Sequence, residues 1–119
     1  MQKILIDKFI VPEESKAPFL ERAHKVQSLL KTLPGFVEGF LYEKRDGESR
    51  YNYMTTVVWE NEEAFENAKK TVATEFEKQG FGLQETRRKL KIESERAVYE
   101  RAPYLSGAVI SLGRLSDCA

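Results

Sequence analysis

The sequence predicts an α+β fold, with four strands in one antiparallel sheet and two helices on a single face. Three observations lead there. Apolar residues recur at steps of three and four in two long stretches, each the signature of a helix with one buried stripe. Four other stretches are rich in β-branched and aromatic residues and are bounded by Pro, Gly or polar turns. Along the chain these elements run β-α-β-β-α-β, the split βαβ order, which puts both helices on the same side of the sheet.

The first strand is expected from Lys3 to Val11, where Pro12 closes an apolar, β-branched run. Glu13, Glu14 and Ser15 then offer acidic groups and a hydroxyl to the positive end of a helix. Phe19, Ala23, Val26, Leu30 and Leu33 form that helix's stripe, and Pro34-Gly35 stops it. Phe36 to Lys44 is the second strand, and Asp46-Gly47 a tight turn joining antiparallel neighbours. The third strand runs from Arg50 to Glu60. Asn61 caps a second helix whose stripe is Phe65, Ala68, Val72 and Phe76, ended by Gly80-Phe81-Gly82. Leu83 to Lys91 is a candidate helical piece, and Arg96 to Arg101 the last strand, ended by Pro103. One domain therefore covers residues 1–102, and 103–119 is a tail that either forms an ordered arm or stays flexible.

The totals exclude several classes. At 41% hydrophobic and 32% charged, the chain is neither disordered nor membrane-embedded. Nineteen basic residues balance nineteen acidic ones, so no overall field draws it to nucleic acid or to an acidic membrane surface. No apolar run approaches the ~20 residues of a membrane span. Cys118 is the one cysteine and has no partner within the chain, which fits a reducing, cytoplasmic setting. A phosphate-binding glycine loop, a nucleophile elbow and metal-spaced Cys/His clusters are all missing.

The third strand poses the sharpest question. Tyr51, Tyr53, Thr55, Val57 and Trp59 share one side; Asn52, Met54, Thr56 and Val58 share the other. Both sides are too apolar for water. One face belongs under the helices, and the face with Tyr51, Tyr53, Val57 and Trp59 is expected to lie uncovered, a patch that monomers rarely tolerate. A homodimer with its sheets face to face, enclosing a chamber, is the expected remedy.

The runs "ILIDKFIVPEE", "PGFVEGFLYEK" and "VVWENEEAFENAKK" resemble the antibiotic biosynthesis monooxygenase family, from about Lys3 to Arg101. The most specific pieces are Trp-Glu-x-x-Glu-Ala-Phe at 59–65 and Pro-Gly-Phe at 34–36. The resemblance implies a ferredoxin-like chain that pairs into a dimeric α+β barrel. It also implies one of two chemistries: oxidation of polycyclic phenols to quinones by O₂ without metal or flavin, or haem binding and degradation. In both branches the tryptophan ending the third strand faces the chamber, which carries over to Trp59. Where the haem branch has a strand-one asparagine, this chain has Asp7, and it has no histidine on the second helix. Where the quinone-forming branch has an asparagine four residues before the tryptophan, this chain has Thr55.

Several residues are therefore site candidates. Asp7 interrupts an apolar strand, on the side of Leu5 and Phe9. It is either a base whose carboxyl burial makes more basic, or the partner of a neighbouring Lys or Arg. Trp59 is a chamber wall and indole N–H donor, a packed interface residue, or both. Tyr51, Tyr53, Thr55 and Phe9 would line the substrate site, or form cross-strand packing pairs. His24 reads as a surface histidine, with a proton shuttle as the alternative. The leading expectation is a cofactorless monooxygenase for a phenol or hydroquinone, with O₂ as co-substrate. The alternatives are a protein binding haem or a small aromatic molecule, and a non-catalytic, stress-associated dimer.

Overall fold

The fold is described from a computed structural model covering residues 1–78 and 88–102. Four strands, β1 (Lys3–Ile10), β2 (Phe36–Glu43), β3 (Tyr53–Trp59) and β4 (Glu93–Tyr99), form one antiparallel sheet in the order β2-β3-β1-β4. Helices α1 (Lys16–Leu30) and α2 (Glu62–Lys78) cover one face. This is the expected α+β, ferredoxin-like plan. The Gly80-Phe81-Gly82 break, most of the Leu83–Lys91 piece and the 103–119 tail lie outside the described residues, although 88–90 is helical.

The helix starts follow from side-chain chemistry. Asn61 Oδ1 accepts the Ala64 backbone N–H at 2.8 Å, so it caps α2 as expected, with Glu62 and Glu63 in the first turn. Before α1, Glu13–Ser15 form a 3₁₀ turn, and Ser15 does not cap. Its buried hydroxyl instead donates to the Leu90 carbonyl at 2.7 Å, tying the chain before β4 to the start of α1.

β3 begins three residues later than expected because Asn52 leaves the ladder. Its side-chain amide pairs with the Val11 backbone in both directions, at 2.8 and 2.9 Å. The link from β2 is accordingly a loop closed by Lys44 N–H donating to Asn52 O at 2.9 Å, with Gly47 at φ +106°, rather than a two-residue turn.

The two pieces of the family signature meet in space. Gly35, at φ +82°, turns the chain from α1 into β2, and a Cβ there would run into Ala64 Cβ. Its carbonyl accepts the Glu60 N–H at 2.8 Å, and Phe36 packs edge-on against Trp59 at 5.7 Å. The Pro-Gly-Phe and Trp-Glu-x-x-Glu-Ala-Phe runs thus form a corner that fixes where β3 ends and α2 begins.

The helix-covered face is the reverse of the one expected. Tyr53, Val57 and Trp59 are buried under the helices: Val57 and Trp59 with Leu30, Phe65 and Ala68, and Tyr53 with Val11 and Phe19. Leu5 packs against the first cluster and Phe9 against the second. The open face carries Ile4, Ile6, Ile10, Met54, Thr56 and Val58, which are half-buried, with Phe40, Tyr42 and Tyr99 exposed. Strand alternation had identified the two sets, but both are apolar, and helix packing made the choice.

Candidate functional site

Between the helices and the sheet of this one chain lies a cavity of about 320 Å³. Its position corrects the expectation of a chamber between two sheets. The register of the strands sets its floor, which touches Leu5 and Val57 in one row and Thr55, Asp7 and Arg96 in the next. One row is apolar, with Gly39, Val57, Leu5 and Val98 on neighbouring strands. The adjacent row on the same face is Leu41, Thr55, Asp7 and Arg96. Phe9 borders the cavity beyond Asp7, and Trp59 borders it beyond Val57. The roof is the two helical stripes, Phe19, Ala23, Val26 and Leu30 from α1 and Phe65, Ala68, Val72 and Phe76 from α2. Leu90 and Ile92 close one side.

Three polar residues thus cross an otherwise apolar floor. Asp7, 7% exposed, is gripped at both carboxylate oxygens by Arg96: Nε to Oδ1 at 2.7 Å and Nη2 to Oδ2 at 3.2 Å. Of the two readings open for Asp7, this is the ion-paired one. A two-point guanidinium contact fixes the carboxylate's plane and leaves each oxygen lone pairs toward the cavity. Arg96 is half exposed, so the pair reaches from the cavity to solvent.

Two further cations border the roof. Arg22 lies over the Phe76 ring at 4.4 Å, and burial pushes its guanidinium below the usual arginine range. Lys69 lies over the Phe65 ring at 4.8 Å and bridges Glu66 at 3.1 Å. Arg22, Lys69, Arg96 and Asp7 are the charged residues of the described lining, with Arg96 paired to Asp7 and Lys69 to Glu66.

Of the expected site residues, Asp7, Phe9, Thr55 and Trp59 border the cavity; Tyr51 and Tyr53 do not. Tyr51 precedes β3, and its hydroxyl donates to Glu95, whose partner Lys8 faces away from the helices. Tyr53 is core: its ring packs at a tilt against Phe19, 5.0 Å between centroids, and its hydroxyl donates to Glu43 at 3.0 Å. His24 is exposed on α1. Arg96, Arg22 and Gln27 are lining residues that sequence reasoning passed over. For Gln27 a signal existed, since it lies one helical step beyond Ala23 on the same stripe.

Haem iron takes an axial His, Cys, Met or Tyr. None of these is among the described residues lining the cavity, so the lining does not fit haem. Among the described residues no His, Cys, Asp or Glu side chains converge as a metal site requires.

A family model for antibiotic biosynthesis monooxygenases matches residues 4–78. No curated protein matches the chain. Among solved structures it is similar to SnoaB, a cofactor-independent oxygenase from Streptomyces nogalater. That likeness has 22% identity and a TM-score of 0.66, and covers 89% of this chain and 98% of SnoaB. It is also similar to the haem-degrader MhuD from Mycobacterium tuberculosis, whose active site holds two haems. There the identity is 18% and the TM-score 0.63, over 82% of this chain and 93% of MhuD. At these identities the likeness is one of fold.

Proposed function

Because the chain belongs to the antibiotic biosynthesis monooxygenase family, we propose that it is a cofactor-independent monooxygenase that oxidises a small phenol to a quinone in the cavity under its helices. The observation that carries this reading is the Thr55–Asp7–Arg96 row crossing an apolar, helix-roofed floor. A phenol has that division: a flat apolar ring and one polar edge. At about 320 Å³ the cavity sits at the small end of ligand pockets, which suits two or three rings.

The chemistry balances with O₂ as the oxidant. Asp7, though paired with Arg96, keeps lone pairs toward the cavity and accepts the phenolic proton there, while Arg96 stabilises the phenolate that forms. The ring carbon para to the oxygen gives its electrons to O₂, making a C–O bond to a peroxide that takes up one proton. Loss of the hydrogen on that carbon as a proton, with cleavage of the O–O bond, leaves C=O. The other oxygen departs as water. One O₂ is consumed, one oxygen enters the product, and the phenol is oxidised by four electrons. Trp59 walls the ring and offers its indole N–H, while Phe9 and Thr55 hold its edge. The roof keeps out water that would intercept the peroxide.

The same reading includes a homodimer. The open face with Ile6, Met54, Val58, Phe40 and Tyr99 is an apolar surface that a second copy would cover. The catalytic proposal is tested by oxygen uptake and ¹⁸O₂ labelling with a panel of naphthols. The expected product carries one ¹⁸O atom, and the Asp7→Asn rate falls by roughly 10²-fold or more. Uptake with every labelled atom recovered in hydrogen peroxide, or a rate indifferent to Asp7→Asn and Trp59→Phe, would overturn the assignment.

A further inference from the structure

Asp46-Gly47 is the one Asp-Gly step in the sequence, and the fold sets it in the loop between β2 and β3 with both residues exposed. The loop is held at its base, where Lys44 N–H donates to Asn52 O at 2.9 Å and Lys44 Nζ to Ser49 O at 2.6 Å. Farther out, the Gly47 backbone N–H donates to Asp46 Oδ1 at 2.8 Å. That contact leaves the amide nitrogen roughly 3–3.5 Å from the carboxyl carbon Cγ, a near-attack separation. Gly47 sits at φ +106°, a conformation glycine adopts freely, and a Cβ there would meet nothing, so no side chain crowds the nitrogen. The other groups capable of the same chemistry are held elsewhere among the described residues. Asp7 is buried against Arg96, and both ends of the Asn52 amide are bonded to Val11. Asn61 Oδ1 takes the Ala64 N–H, and Asn67 lies within α2.

We infer that Asp46 is a self-modification site, at which the folded chain converts to isoaspartate without an enzyme. The Gly47 nitrogen forms a bond to Cγ of the Asp46 carboxyl in its protonated form. The nitrogen's proton and the carboxyl O–H leave as water, closing a succinimide ring. Water then adds to the Asp46 backbone carbonyl carbon, whose bond to the Gly47 nitrogen breaks, and the chain continues through Cβ and Cγ. One water is released and one is taken up, so the conversion needs no other reactant. The product has one more backbone atom in the loop and a free α-carboxylate. It also loses the contact between Gly47 N–H and Oδ1 that set up the attack. Neither residue lines the cavity, so this inference stands apart from what the cavity binds or turns over.

The test incubates the full chain in neutral buffer at physiological temperature for several weeks, folded and, in parallel, unfolded in urea. Cleavage after Glu43 and Glu48 then releases the peptide 44–48. The expected result is a second form of this peptide with unchanged mass and a separate chromatographic position, which accepts a methyl group from an isoaspartate-specific methyltransferase. It should accumulate in the folded protein at least as fast as in the unfolded chain, because the fold already holds nitrogen and Cγ together. Asp46→Glu, which moves the carboxyl one methylene away at an exposed position, should lose the second form over the same period. Absence of the second form in folded wild type, slower accumulation there than in urea, or methyl acceptance that persists in Asp46→Glu would each overturn the assignment.

Discussion

Replacing Gly35 by Ala should be among the most damaging single-methyl changes in this chain, and its cost divides into two separable parts. The backbone at position 35 sits at φ +82°, where an L-residue is disfavoured by ~1–2 kcal/mol. The new Cβ would also collide with Ala64 Cβ, the neighbour from the first turn of α2. Overpacking of that kind costs ~1–3 kcal/mol. The sum, ~2–5 kcal/mol, is a large share of the ~5–15 kcal/mol that holds a domain folded. Urea denaturation of Gly35→Ala, Ala64→Gly and the double variant separates the parts. Removing the Ala64 methyl should cost ~1 kcal/mol alone, as glycine in a helix. In the Gly35→Ala background it should instead return most of the steric part, a coupling of ~1–3 kcal/mol. A Gly35→Ala cost below ~1 kcal/mol, or strictly additive costs, would refute the corner as described.

Other consequences are open to the same kind of measurement. Asn52→Ala removes both hydrogen bonds to the Val11 backbone and should cost ~2 kcal/mol in urea denaturation, with no change at all contradicting the pairing. Tyr53 should make the fold alkali-sensitive. Burial first, and then its bond to Glu43, raise its hydroxyl above the ordinary value of 10.0. Below that pH both folded and unfolded chains keep the proton; above it the unfolded chain releases it first, so stability falls as pH rises. Between about pH 9 and 11, wild type should lose stability faster than Tyr53→Phe, and parallel curves would contradict this. Ile6→Arg places a charge at the centre of the open face and should convert a dimer to monomers in sedimentation equilibrium, with phenol binding retained. An unchanged mass would remove that face from the interface.

Much of this was legible in the residues, and the failures have definite physical causes. Steps of three and four gave both helices, and Asn61 gave the start of α2 to the residue. Alternation along β3 told which side chains share a face, but Tyr53, Val57 and Trp59 on one side and Met54 and Val58 on the other are both apolar. Nothing local decides which set meets the helices. Tyr51 was drawn into the strand by that same alternation, because the diversion of Asn52 to Val11, forty-one residues away in sequence, leaves no mark nearby. Arg96 reads in the sequence only as the first residue of the last strand, and its register opposite Asp7 is what gives it a role.

The claim beneath all of this is that small aromatics enter beneath the helices and not between two sheets. Trp59 is the only tryptophan, so a ¹H–¹⁵N spectrum contains one indole resonance, and that indole borders the proposed cavity. Titration with a naphthol should move this resonance saturably while the amides of Ile6, Thr56 and Val58 stay nearly fixed. An indole signal that holds still while those open-face amides shift would put the ligand on the other side of the sheet.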